Sequence, residues 1–181
     1  MTDIVNWTVQ KTGKLIVTVP EFKEYSGMDE GDSLTETMLK SAQEQIERAC
    51  HVSFFPADVT VQYDGDETWK DLPVRPFISV TSVTAKHTTG NEAITDYEVV
   101  GTDYNKQIYV PKVWRLSAGR ISTVVEVVYK AGYQSNNDVP EPLKEAIMLT
   151  TMKSLERRFS LDVPNLKEVK ALIAPYMRLY V

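Results

Sequence analysis

Cys50 and His51 set a thiol beside an imidazole, the pairing a cysteine nucleophile and its general base would use. Successive residues on a helix point about 100° apart, so these two share a proton poorly. A buried, inert thiol on a helix accounts for Cys50 more simply. With His87 the only other histidine, a histidine-based metal centre or triad would need partners from distant segments. The run Asp64-Gly65-Asp66-Glu67 gathers carboxylates as a calcium loop does, but lacks the alternating ligands and closing glutamate of an EF-hand. It reads as a solvated acidic turn. There is no P-loop lysine motif, no dinucleotide glycine motif and no Cys-x-x-Cys, and Gly119-Arg120 ahead of a strand is a turn. Lys153, Arg157, Arg158, Lys167 and Lys170 recur at helical spacing but are balanced in part by Glu156 and Glu168, which makes them a solvated helix face. Trp7, Trp69 and Trp114 are scattered and form no base-stacking ladder. The sequence therefore predicts no catalytic centre, no metal site and no cofactor. The rival enzymatic reading is a metal-dependent nucleic-acid-processing domain built on the carboxylates of residues 58–71.

Composition points the same way. The chain has 181 residues, 43% hydrophobic and 25% charged, enough to bury a core in one domain or one domain with an arm. A formal charge of −5 argues against a free-standing nucleic-acid binder, which needs a basic surface. The charge is uneven: residues 139–181 hold seven Lys/Arg against five Asp/Glu, the remainder 13 against 20. One cysteine, no basic apolar leader and no run of about 20 apolar residues imply synthesis in a reducing cytoplasm and no membrane partner.

The elements that must hold any site follow from periodicity. Asn6–Val9 and Leu15–Val19 are β-like patches around a Lys11–Lys14 turn, so residues 1–19 read as a hairpin arm that needs a neighbour. Residues 20–25 suit a short helix. Ser33 and Glu36 have capping-box spacing ahead of a helix whose apolar face is Met38, Leu39, Ala42, Ile46, Ala49 and Cys50. From residue 57 to 133 the period becomes two, with strands over Val59–Tyr63, Ile78–Thr84, Tyr97–Val100, Gln107–Val110 and Ile121–Tyr129. Turns at 64–66, 88–91, 101–103 and 117–119 are too short for crossover helices, which implies antiparallel pairing. Helical stripes return at Leu143, Ile147, Met148, Thr151, Leu155 and Phe159. A second stripe runs through Leu166, Val169, Leu172, Ile173, Tyr176 and Tyr180, beyond a break at Asp162-Val163-Pro164. The expected fold is α+β: a helical bundle from both ends of the chain with an inserted, mostly antiparallel β-rich region. The expected divisions are an arm at 1–19, a core at 20–160 with the β-rich region at 57–133, and a C-terminal helix and docking segment at 161–181. Leu39, Ile46, Leu143, Ile147 and Leu155, from both ends of the chain, should pack as one helical cluster against the sheet.

The passage Val128–Ile147 carries the most information. A β-branched strand stops at Ala131-Gly132-Tyr133, a polar turn follows over Asn136-Asn137-Asp138, and a helix opens near Val139-Pro140. This order, with Leu143-Lys144 and Ala146 beyond it, resembles the head–tail connector (adaptor) proteins of long-tailed bacteriophages. Val17–Tyr25, Leu39–Glu47, Leu72–Val83 and Ala171–Tyr176 resemble further motifs of that family in the same order, so the likeness spans residues 15–181. The chain departs from the family at Cys50-His51, where Thr-Gly is usual, and in residues 1–14, which have no counterpart.

The resemblance implies a structural virion protein of the neck, made in a bacterial host. It implies a ring of twelve copies under the portal protein, with a stopper or tail-completion protein below and DNA passing through without sequence-specific binding. A tail-completion or stopper protein is the nearest structural rival. The family motif residues Ala131, Gly132, Tyr133, Pro140, Leu143, Lys144 and Ala146 would be structural. Tyr176, Met177, Arg178, Leu179, Tyr180 and Val181 end the sequence on apolar and aromatic residues, which suit either the chain's own core or docking on the portal.

Overall fold

The computed structural model describes residues 4–10, 13–64, 69–87, 90–102, 105–110, 124–156 and 167–177. The fold is α+β, and the chain divides into two compact units. Met1–Thr12 and Phe55–Gly132 form one; Gly13–Phe54 and Tyr133–Val181 form the other.

The first unit is built of strands. β1 (Ile4–Val9), β2 (Ala57–Asp64), β4 (Phe77–His87), β5 (Gly90–Ala93) and β8 (Val124–Ala131) make a five-stranded sheet in the order β1-β2-β8-β4-β5. β3 (Trp69–Asp71), β6 (Glu98–Thr102) and β7 (Asn105–Tyr109) make a second sheet in the order β3-β7-β6. Every pairing is antiparallel. The central strand shows why the sequence folds this way. Along β8, Val125, Val127, Tyr129 and Ala131 are buried while the residues between them face outward, the period-two pattern of a half-buried strand. Its partners present Val61 and Val83 opposite Val127, and Tyr63 and Ala85 opposite Val125. Leu72, Val74, Ile108 and Val110 complete the same core. The Tyr129 hydroxyl accepts a hydrogen bond from the Val74 amide (2.8 Å) and donates to the Val74 carbonyl (3.1 Å), so this buried phenol is satisfied. Lys70, fully buried, holds its ammonium 5.2 Å from the Tyr63 ring centroid. On the outer face Glu126 accepts from Gln62 (2.9 Å) and from Lys86, tying β2, β8 and β4 together.

The second unit is helical: α1 (Val19–Ser26), α2 (Asp32–Cys50), α3 (Glu141–Glu156) and α4 (Lys167–Ile173). Leu39, Ile46, Leu143, Ile147 and Leu155 are all buried, with α2 packed on α3. Thr150 and Thr151 turn their buried hydroxyls onto the Ala146 and Ile147 carbonyls one turn back (2.7 and 2.9 Å). Lys153 bridges to Glu168 (2.8 Å), joining α3 to α4.

Several sequence expectations change. Residues 15–18 are not a strand, and β1 pairs with β2 instead of forming a hairpin with them. The reason is Gln43 on α2, whose amide accepts from the Ile16 N–H and donates to the Lys14 carbonyl, both at 3.0 Å, replacing a strand partner. No Ser33–Glu36 box forms. α2 begins two residues earlier, and its Gly31 cap has no side-chain hydrogen bond. The capping box is instead at α1, between Thr18 and Glu21. Gly90 and Asn91, read as a turn, belong to β5, and Trp69–Asp71 form a strand the sequence did not announce. α3 starts at Glu141, so Pro140 stands just ahead of it and Pro142 lies in its first turn. The expected residues Ile121–Thr123, Phe159, Asp162–Pro164 and Leu166 lie outside the described residues.

Two substitutions test this architecture. Ile147→Ala should cost about 2–5 kcal/mol in urea unfolding, as a large-to-small change in a packed core does; parental stability would sink the assigned face of α3. Gly132 has φ +131°, and a Cβ there would sit 2.1 Å from the Phe55 carbonyl oxygen. Gly132→Ala should therefore lower stability by at least about 2 kcal/mol, read from the same unfolding curves.

Candidate functional site

The motif passage splits by chemistry. Ala131 closes β8 opposite both Ala57 and Phe77, and the Gly132 amide donates to the Pro76 carbonyl (2.8 Å). Tyr133 is buried in the helical unit, with its ring stacked on Phe54 (centroids 6.4 Å apart, 19° between planes) and its amide on the Ser53 carbonyl (3.3 Å). Ser135 and Asp138 close a single 3-10 turn over Asn136–Asp138 in a reciprocal cap. Pro140 is half-buried, and its carbonyl accepts from the Leu143 amide (3.0 Å). Leu143 and Ala146 face the core, while Lys144 is half-buried and paired with Glu141 (2.7 Å).

The polar members of this passage line a cleft in the helical unit. Its volume is about 590 Å³, and its wall comprises Ile16, Val17, Glu21, Glu24, Tyr25, Asn136, Asn137, Glu141, Lys144 and Met148. Glu21, Glu24 and Tyr25 come from one face of α1, and Glu141, Lys144 and Met148 recur along one face of α3. Sequence reasoning did not find this site. The helical spacing was readable, but nothing local says that these two faces meet. The Thr18 hydroxyl and backbone amide both donate to Glu21 and hold its carboxyl below the usual range. Burial raises the Tyr25 phenol, and the Glu145 and Glu168 carboxylates add to it.

Of the C-terminal residues singled out for docking, Tyr176 ends a 3-10 turn and is half-buried, and Met177 is 44% exposed. Arg178, Leu179, Tyr180 and Val181 lie outside the described residues. Val169 and Ile173 anchor α4 in the core. The residues that suggested chemistry are placed as follows. Cys50 is fully buried at the end of α2. His51 follows it in the left-handed region (φ 53°), where its amide caps the Glu47 carbonyl. It thus occupies the helix-ending position that a glycine usually takes, consistent with the sequence departure noted there. His87 ends β4. Asp64 ends β2, and residues 65–67 of the acidic run lie outside the described residues, as do Trp114, Arg157 and Arg158. Among the described residues no three His, Cys, Asp or Glu side chains are grouped to hold a metal, and no helix is long and apolar enough to cross a membrane.

No protein-family model matches the chain, and no curated protein sequence matches it at a significant level. Solved structures share its fold. A chain in the virion of a native gene transfer agent particle superposes with a TM-score of 0.75 at 19% identity. A chain in the neck of the empty particle, computed with C6 symmetry, gives 0.73 at 18%. A third, in the neck of the native particle computed with C12 symmetry, gives 0.71 at 20%. Each match covers 100% of this chain and 97% of the other. At such identity the likeness is one of fold, and it includes both units.

The α1 cap beside the cleft yields a pH-dependent outcome. Because folding lowers the Glu21 pKa, its contribution is complete above the unfolded value near 4.5 and is lost as pH falls through the lower folded value. Thr18→Ala should cost about 1 kcal/mol near neutrality. The gap from wild type should narrow in acid to the part left by the Glu21 amide donating to the Thr18 hydroxyl (3.4 Å), and a gap of equal size in acid would refute the linkage.

Proposed function

We propose that this chain is a structural component of the neck of a phage-like particle, acting by assembly and making or breaking no covalent bond. The observation that carries the reading is the end-to-end likeness of fold to chains in gene transfer agent necks and virions. The ordered motifs over residues 15–181 support it separately, since they point to connector proteins without reference to any fold.

In its finer form, twelve copies form a ring under the portal protein, extend the DNA channel and present their lower face to a stopper or tail-completion protein. A closed ring of identical chains requires two different patches of each subunit to meet. At −5 per subunit, twelve copies carry about −60, which repels DNA weakly and suits a conduit better than a clamp. The C-terminal segment docks on the portal through Tyr176, Met177, Leu179 and Tyr180, with Arg178 meeting an acidic or carbonyl-lined surface.

Electron microscopy of the purified protein, alone and mixed with its portal, tests the reading. Rings seated on the portal are the expected result. A chain that ignores the portal and instead closes an assembled connector is a stopper, and a monomer with metal-dependent nuclease activity overturns the structural assignment. Deleting residues 176–181 should leave the β-rich unit folded and abolish attachment to DNA-filled heads. Normal yields of joined particles from that variant would move the docking role elsewhere, first to the N-terminal arm.

A further inference from the structure

We propose that the cleft between α1 and α3 receives an arginine side chain, flanked by apolar residues, from a neighbouring protein chain. This goes beyond the neck assignment and holds whichever protein supplies the segment. Three features of the cleft converge on a guanidinium. The first is charge. Glu21, Glu24 and Glu141 line the cleft against one cation, Lys144, which is already paired with Glu141 at 2.7 Å. Just outside, Glu145 and Glu168 act on Tyr25, and the nearby Lys153 is already paired with Glu168 at 2.8 Å. The carboxylates therefore outnumber the ammonium groups even with both lysines counted.

The second feature is aromatic. Tyr25 is 43% exposed on the cleft wall, one of the few large apolar side chains so exposed among the described residues. An aromatic face beside carboxylates is where a planar cation stacks while its N–H groups are bound at the edge. The third is the apolar wall of Ile16, Val17 and Met148, which suits the methylene stem of a long side chain and the apolar residues beside it. An ammonium would use the carboxylates without the ring plane. A purely apolar group would dehydrate the carboxylates without compensation. Arginine uses all three features, and the Asn136 and Asn137 amides at the rim can bond the backbone that carries it.

Fluorescence anisotropy with a dye-labelled pentapeptide, arginine between two leucines with glycine at each end, tests the proposal on the full chain. The same peptide with citrulline, neutral but of the same shape, should bind weaker by on the order of tenfold. Tyr25→Ala and Glu24→Gln should each weaken the arginine peptide by roughly threefold or more, and Tyr25→Phe should retain it. Glu98→Gln, the same change of charge on β6, should leave binding unaltered. Circular dichroism checks that each variant is folded. The proposal is overturned by no binding up to about 1 mM peptide, by equal affinity for arginine and citrulline, or by a loss in Glu98→Gln matching that in Glu24→Gln.

Discussion

Gly132 leaves no room for a side chain, and the β-rich unit is organised around that fact. β8 is the central strand of the five-stranded sheet, and its last residue, Ala131, pairs with β2 on one side and β4 on the other. Directly after it the backbone lies against the Phe55 carbonyl and donates to Pro76, segments that lead into those same two neighbours. A Cβ at this point would push three strand ends apart at once. Glycine permits both the positive φ and the close approach, and these two requirements fix the register from which the alternating core of Val125, Val127 and Tyr129 follows.

Much of this was legible in the sequence where the cause is local. The three-and-four spacing of Leu39, Ala42, Ile46 and Cys50 gave a helix with a buried face. The β-branched run Ile121–Tyr129 gave a strand, and glycine just beyond it gave the stop. What failed had distant causes. Leu15–Val19 has strand composition, yet its backbone partner is the Gln43 side chain on a helix 27 residues away from Ile16. Ser33 and Glu36 had the spacing of a cap, but helix α2 begins at Asp32 and leaves Ser33 inside it. β5 has almost no propensity of its own, since Gly90–Ala93 becomes a strand by pairing with the end of β4.

The candidate site shows the same division. Glu21, Glu24 and Tyr25, or Glu141, Lys144 and Met148, are unremarkable as isolated helix faces, and only tertiary packing turns them into one cleft. The conspicuous residues turned out to have packing and capping environments. Cys50 fills the core end of α2, and His51 ends that helix in a conformation normally left to glycine. A protein whose function is assembly would carry its information in this form, as surfaces composed from several elements, and short motifs then report the scaffold more readily than the contacts.

The end of the sheet fixed by Gly132 also has a mechanical meaning. After its N-terminal strand the chain re-enters the β-rich unit at Phe55 and leaves it at Gly132, and β2 and β8 are antiparallel with Ala57 opposite Ala131. Tension carried along the backbone through those two points pulls the paired strands apart from one end. The ladder then resists as a zipper, one hydrogen-bonded pair at a time, and not in shear, where all pairs would share the load. The pairs at that end, Ala57 with Ala131 and Asp58 with Lys130, are the first to bear such a load.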